Sequence, residues 1–246
     1  YYSTGQLYAT WFGAQAVTAD GTVVRFTVPV DRAGVQVLDD FDAVGQRLTA
    51  SGTTRLTEVR VTDDEVVVAG ADTPDNPWPG SFAQLYLAAV QAGIAARARD
   101  DAIEFTRTRA RPIKHSSAAS SVDDPYVRQT VGEIAARAQT ARAVVLLAAE
   151  ELDRTRGLTG DDARRAGAAA AVQVAQAGTI AIESALRAAE LLFDVGGGSI
   201  TNREFGFDRH WRNARTVANH NPRQWKLAVA GAFHLTGEDP PTTGLF

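Results

Sequence analysis

Two hydrophobic periodicities divide the chain. In the first 72 residues apolar positions tend to alternate with polar ones, as on a half-buried strand. Val24, Phe26 and Val28 mark a strand over 22–28, entered through an Asp20-Gly21 pair of the hairpin type. Further strands are expected over 35–38, 56–61 and 66–68. Three prolines within 73–79 then interrupt every pattern, which makes that segment a linker.

From residue 80 the spacing changes to three and four. Phe82, Leu85 and Ala89, with Leu87, Val90 and Ile94, mark a long helix running to about Ala110, ended by Pro112. Asp123-Asp124-Pro125 opens a second helix, with proline in its first turn, and Gly157 closes it. Its stripe is Val131, Ile134, Ala138, Ala141, Val145, Ala148 and Leu152. A third helix starts at Asp161-Asp162 and carries Val172, Ala175, Thr179, Ile182, Leu186, Ala189 and Phe193; Gly196-Gly197-Gly198 ends it. Shorter helices are expected over 207–218 and from Pro222 to about Leu235. Stripes of this kind pack helices nearly antiparallel. The fold class is therefore α+β: a partial β-barrel or sandwich over 1–72, then an antiparallel four-helix bundle over 80–246.

Composition narrows the partners. A net charge of −4 and a pI near 5.6 argue against a nucleic-acid surface. With no cysteine, disulfides and thiolate metal sites are excluded. The alanine-rich stretch 167–189 is broken by Gln173, Gln176 and Glu183, so no membrane span is expected, and a cytoplasmic location is the default. No histidine pair has metal-ligand spacing beside a carboxylate, so no metal is expected. Methionine is absent even at position 1, and the first residues read like the middle of a β-domain. The chain is therefore expected to be a fragment or a processed product.

The densest chemistry lies in residues 208–222, Asp-Arg-His-Trp-Arg-Asn-Ala-Arg-Thr-Val-Ala-Asn-His-Asn-Pro, where a helix should end. Together with Tyr2-Ser-Thr-Gly5, Gly45-Gln-Arg-Leu-Thr-Ala-Ser-Gly52 and Thr106-Arg-Thr-Arg-Ala-Arg-Pro112, this segment resembles the flavin-dependent monooxygenases built on the acyl-CoA dehydrogenase fold. The dibenzothiophene monooxygenase and sulfur-acquisition oxidoreductase branch is the nearest. The resemblance implies the middle and C-terminal parts of that fold, with its N-terminal helical domain lying before Tyr1.

It also implies roles, each with a plainer alternative. Ser3 would lie against the flavin edge near N5, or is a strand-end serine in a turn. Arg109 or Arg111 would reach the flavin phosphate across a subunit interface through a guanidinium fork; Arg107, Arg109 and Arg111 otherwise only complement a helix C-terminus. Gly197 and Gly198 would let backbone N–H groups approach a nucleotide, or merely cap a helix. His220 would manage the proton that enters with oxygen, with Asn221 beside it as a neutral donor or acceptor. The alternative is a helix-terminal histidine before Asn-Pro. Gly45, Arg47 and Ser51 match a loop over the active site, and Trp11 and Phe12 are candidates to line a pocket. His210 and Trp211 read as packing residues.

The family's dehydrogenases use a carboxylate base, in many members shortly after an Arg-Asp-Ala-Arg segment. Here Arg212-Asn-Ala-Arg215 is followed by no acid from Val217 to Gly237. The resemblance therefore implies an FMNH2-dependent monooxygenase acting through a C4a-hydroperoxyflavin on a small apolar, organosulfur or aromatic substrate. An NAD(P)H:flavin reductase and a homotetramer are the implied partners. The alternatives are an FAD-dependent acyl-CoA dehydrogenase and a non-catalytic assembly fragment.

Overall fold

The computed structural model of the chain describes residues 2–68, 78, 80–242 and 246. Contacts divide the chain into a unit of residues 1–74 and a unit of residues 75–246. The expected linker over 73–79 lies outside the described residues apart from Trp78.

The first unit holds two three-stranded antiparallel sheets. One orders β1 (Tyr2–Ser3), β5 (Gly52–Leu56) and β4 (Val35–Val37); the other orders β2 (Trp11–Val17), β3 (Val23–Pro29) and β6 (Val66–Val68). The alternating residues of β3 behave as their period demands, with Phe26 and Val28 buried. Among the described residues no barrel closes. The strand expected over 56–61 instead ends at Leu56, because Glu58 takes a positive φ of 50° that an extended ladder does not accommodate. Its pairing residues are the polar Thr53, Thr54 and Arg55, which carry no hydrophobic alternation to betray a strand.

The second unit is helical: α1 (Ser81–Thr108), α2 (Pro125–Asp153), α3 (Gly160–Leu191), α4 (Asp208–Ala218) and α5 (Arg223–Thr236). Asp124 caps α2 by accepting from the backbone N–H of Tyr126 at 2.9 Å and of Val127 at 3.3 Å. α1 stops at Thr108, before Pro112. Two core clusters establish that α1, α2 and α3 alternate in direction. In one, Ala102 and Phe105 near the end of α1 meet Val127 and Ile134 near the start of α2 and Ala188 near the end of α3. In the other, Leu85 near the start of α1 meets Val145 and Ala148 late in α2. α4 packs on α1 and α3, and α5 packs on α3, so two short helices share the bundle's fourth position.

The α2 stripe lies as its spacing predicts, from Ile134 to Ala148. The α1 face departs from expectation. Phe82 is exposed, while Ser81, Gln84, Gln91 and Asp101 are buried. Gln84, Gln91 and Asp101 face α4 and the turn after it, where each meets a hydrogen-bond partner.

Candidate functional site

Residues 208–222 form α4 and the turn into α5. The helix ends at Ala218, and the His220 N–H donates to the Val217 carbonyl at 3.1 Å to close the turn. Asn221 points inward and is buried, and its Nδ2 donates to Gln84 Oε1 of α1 at 2.7 Å. Two turns further along α1, Gln91 Nε2 donates to the Ala214 carbonyl of α4 at 2.9 Å. His220 itself is exposed. Gln84, Gln91, His220, Asn221 and Lys226 line a small cavity of about 30 Å³ with apolar groups of α1, α3 and α4. Lys226 is buried, and burial pushes its ammonium down from 10.5 to about 8. Its Nζ lies 5.2 Å from the centre of the Phe246 ring.

Two arginines of this segment serve the helix itself. Arg212 Nε donates to Asp208 at 2.9 Å, and Arg215 Nε donates to Asn219 at 3.1 Å. Arg209 donates to Asp101 of α1, a carboxylate only 4% exposed. Asp101 also takes Arg97 at 2.7 Å and the buried His210 Nε2 at 2.7 Å. Burial lowers the His210 pKa, and the hydrogen bond to Asp101 opposes the shift. Three cationic or basic side chains thus meet one buried acid, and the two from α4, Arg209 and His210, lock α4 to α1.

Arg107, Arg109 and Arg111 diverge, as alternate positions at a helix end must. Arg107 lines a groove between α1 and α2. Arg109, just past the last turn of α1, lines a different cleft of about 290 Å³ with Arg97, Glu104, Glu204, Phe205 and Phe207. Arg111 is exposed beyond the helix. In the glycine run, Gly196 is required by packing: a Cβ there would meet Phe105 Cε1 at 2.6 Å. Gly197 and Gly198 are exposed, and a Cβ on either would meet nothing within 4 Å.

In the first unit, the Tyr-Ser-Thr-Gly and Gly45–Gly52 motifs meet. Ser3 pairs with Gly52, the Gly5 N–H donates to the Thr49 carbonyl at 3.0 Å, and Ser51 Oγ donates to Thr4 Oγ1 at 3.2 Å. Gly52 is required because a Cβ would lie 1.8 Å from the Leu38 carbonyl oxygen. Ser3 Oγ accepts from Thr54 Oγ1 at 3.1 Å and lines an open groove of about 610 Å³ with Phe12, Arg25, Phe26 and Thr27. Phe12 stands edge-on to Phe26, with ring centres 6.1 Å apart, and Trp11 is exposed. Among the described residues no group of three His, Asp or Glu side chains gathers as metal ligands, and no helix is long and apolar enough to cross a membrane.

Residues 85–225, which run from α1 to the start of α5, match the family model described as acyl-CoA dehydrogenase, C-terminal domain. The chain belongs to the acyl-CoA dehydrogenase family. Within it, the chain is 35% identical over 231 residues to a dibenzothiophene monooxygenase of Mycolicibacterium goodii, covering 89% of this chain and 55% of that protein. It is 32% identical over 228 residues to the probable FMNH2-dependent monooxygenase SfnC of Pseudomonas putida, covering 90% of this chain and 57% of that protein. The crystal structure of FMN-bound TdsC from Paenibacillus sp. A11-2 superposes with a TM-score of 0.90 at 29% identity, covering 99% of this chain and 64% of that chain. The chain thus spans about half the length of the curated relatives it matches.

Sequence reasoning singled out His220 and Asn221 but missed Gln84 and Gln91, which hold the turn and α4, Lys226 in the cavity wall, and Asp101, which anchors the start of α4. For Asp101 a signal existed: an acid at three- and four-residue spacing between Ala98 and Phe105, on an otherwise apolar stripe.

Proposed function

We propose that this chain is part of an FMNH2-dependent monooxygenase that oxygenates a small apolar organosulfur or aromatic compound. The observation that carries this reading is the chemistry of the junction after α4. The space beside His220 is walled by neutral amides, apolar groups and Lys226, with no carboxylate in the wall. The acid bonded to this junction, Glu183, is held by Arg223 at 3.4 Å and is half exposed to solvent. A dehydrogenase needs a carboxylate to take a proton from carbon; an oxygenase needs a group that titrates near neutrality and a site that sheds water. The likeness to dibenzothiophene monooxygenase and SfnC supports the same choice.

The donor set fits reduced FMN. The exposed guanidiniums of Arg109 and Arg111 suit a phosphate dianion, and the unencumbered Gly197 and Gly198 suit backbone approach to it. His220 supplies a ring nitrogen for the flavin ring. When bound, reduced flavin supplies the electrons and the reaction with oxygen. In this reading His220 holds and releases one proton at a ring nitrogen, and Asn221, committed to Gln84, orients the turn that carries it. A separate NAD(P)H:flavin reductase supplies the reduced cofactor, the enzyme is a cytoplasmic homotetramer, and FMN is preferred to FAD.

The test uses the full-length protein, loaded anaerobically with reduced FMN and mixed with oxygen while flavin absorbance is followed. Reoxidation slower than that of free flavin and coupled to oxygenation of dibenzothiophene supports the reading. Immediate reoxidation, with turnover of acyl-CoA substrates instead, overturns it. His220→Ala should lower the rate of the oxygen step without abolishing flavin binding.

A further inference from the structure

The cavity behind His220 contains a specific chemical demand. Gln91 is 1% exposed; its Nε2 is used by the Ala214 carbonyl, yet its Oε1 is buried and accepts from no described protein group. A buried carbonyl oxygen without a donor costs about 1–3 kcal/mol, and native folds seldom carry one. Gln91 also lines the wall of a cavity of about 30 Å³. One water needs only about 10–15 Å³ by this measure, together with two to four polar partners. The wall supplies them in Gln91, Gln84, Asn221, His220 and Lys226.

We propose that this cavity holds one ordered water that donates to Gln91 Oε1 and links α1 to the His220–Asn221 turn, and that Gln84 and Gln91 are thereby positioning residues for His220. The two glutamines are seven residues apart on α1, two helical turns, and so stand on one face. Gln84 grips the turn through Asn221, and Gln91 grips the preceding helix through Ala214. The water completes the bracket between them. A histidine on a short turn is otherwise held only by backbone, so its ring is aimed by whatever fixes Asn221. Lys226, on the same wall, can donate to this water in its ammonium form and accept from it when neutral, so the water senses pH as well as position. This rests on the oxygenase reading only for its catalytic consequence; the water and the bracket stand apart from it.

The test compares the full-length protein with Gln84→Met, Gln91→Met and Gln84→Glu. Crystal structures of the first three should show water density within hydrogen-bond distance of Gln91 Oε1 in the unaltered protein. Gln84→Met should displace the His220–Asn221 turn, and Gln91→Met should lose the water. In stopped-flow with reduced FMN and oxygen, both methionine variants should slow the oxygen step about tenfold to a hundredfold, as misplacement of a reacting group does, and change its pH profile. Gln84→Glu, which keeps an acceptor for Asn221, should restore the position of the turn and most of the rate. No water at Gln91 Oε1, or methionine variants that lose thermal stability while the pH profile stays fixed, would overturn the proposal. If even the unaltered protein has no distinct oxygen step, the oxygenase reading fails, and the crystallographic arm still decides the water and the bracket.

Discussion

Asn221 Nδ2 donates to Gln84 Oε1 at 2.7 Å across 137 residues of sequence, and each residue is 7% exposed. This one bond ties the turn bearing His220 to the first long helix. Asn221→Ala removes the donor and leaves Gln84 Oε1 buried without it. We expect a loss of about 1–3 kcal/mol, read as a lower midpoint in denaturant unfolding with an unchanged slope.

Asp101 is the charge centre of the bundle's other end. Asp101→Asn leaves Arg97, Arg209 and His210 around a neutral amide. The expected cost lies at the low end of roughly 3–5 kcal/mol, because Arg97 and Arg209 keep much of their solvent contact. Chemical denaturation measures it. A variant as stable as the parent would mean that the network contributes nothing.

Lys226 sets a pH dependence. Its folded pKa of about 8 lies below the ordinary 10.5, so between those values the unfolded chain binds more protons and stability rises with pH. That contribution is fully present above 10.5 and is lost as pH falls through 8. Lys226→Met should flatten this part of the curve relative to the parent. Parallel curves for the two proteins would refute the assignment.

Glu65 does the corresponding work in the first unit. Arg32 donates to it through Nη1 at 2.6 Å and Nη2 at 2.5 Å, and holds its carboxyl at about 2 instead of 4.5. Folded below unfolded means stability present above 4.5 and lost as pH falls towards 2. Glu65→Gln should weaken the acid dependence of unfolding, as followed by circular dichroism.

The glycine run separates packing from ligand binding. Gly196→Ala forces a Cβ against Phe105 and should cost about 1–3 kcal/mol. Gly197→Ala and Gly198→Ala meet no atom and should leave stability within about 0.5 kcal/mol. If the backbone there serves the flavin phosphate, these two variants should still weaken FMN binding in a fluorescence titration. Unchanged affinity would remove them from the site.

How much of this was legible before the fold depended on the force involved. The α2 stripe from Ile134 to Ala148 followed from apolar spacing, since one face of that helix is buried. The Asp124 cap followed from local chemistry. β5 was misplaced because Thr53, Thr54 and Arg55 are held by ladder bonds to β1 and β4, which leave no mark on hydrophobic order. The buried face of α1 was hidden for the same reason: Gln84 and Gln91 are chosen for partners more than a hundred residues away. His220 was found through motif resemblance; that it is exposed while its neighbour is buried needed the turn's geometry.

The alanines that close the bundle have a further consequence. Ala98, Ala141, Ala181 and Ala185 are fully buried, so the helices are separated by little more than methyl groups. Truncating such a position deletes almost nothing, whereas enlarging it has no room to expand into. The seam therefore behaves as a gauge, admitting one size of side chain and passing any mismatch along rigid helices to their ends. A single added isobutyl group at Ala185 would be felt less as lost cohesion at its own site than as a change in where α3 delivers the residues that face α4 and α5.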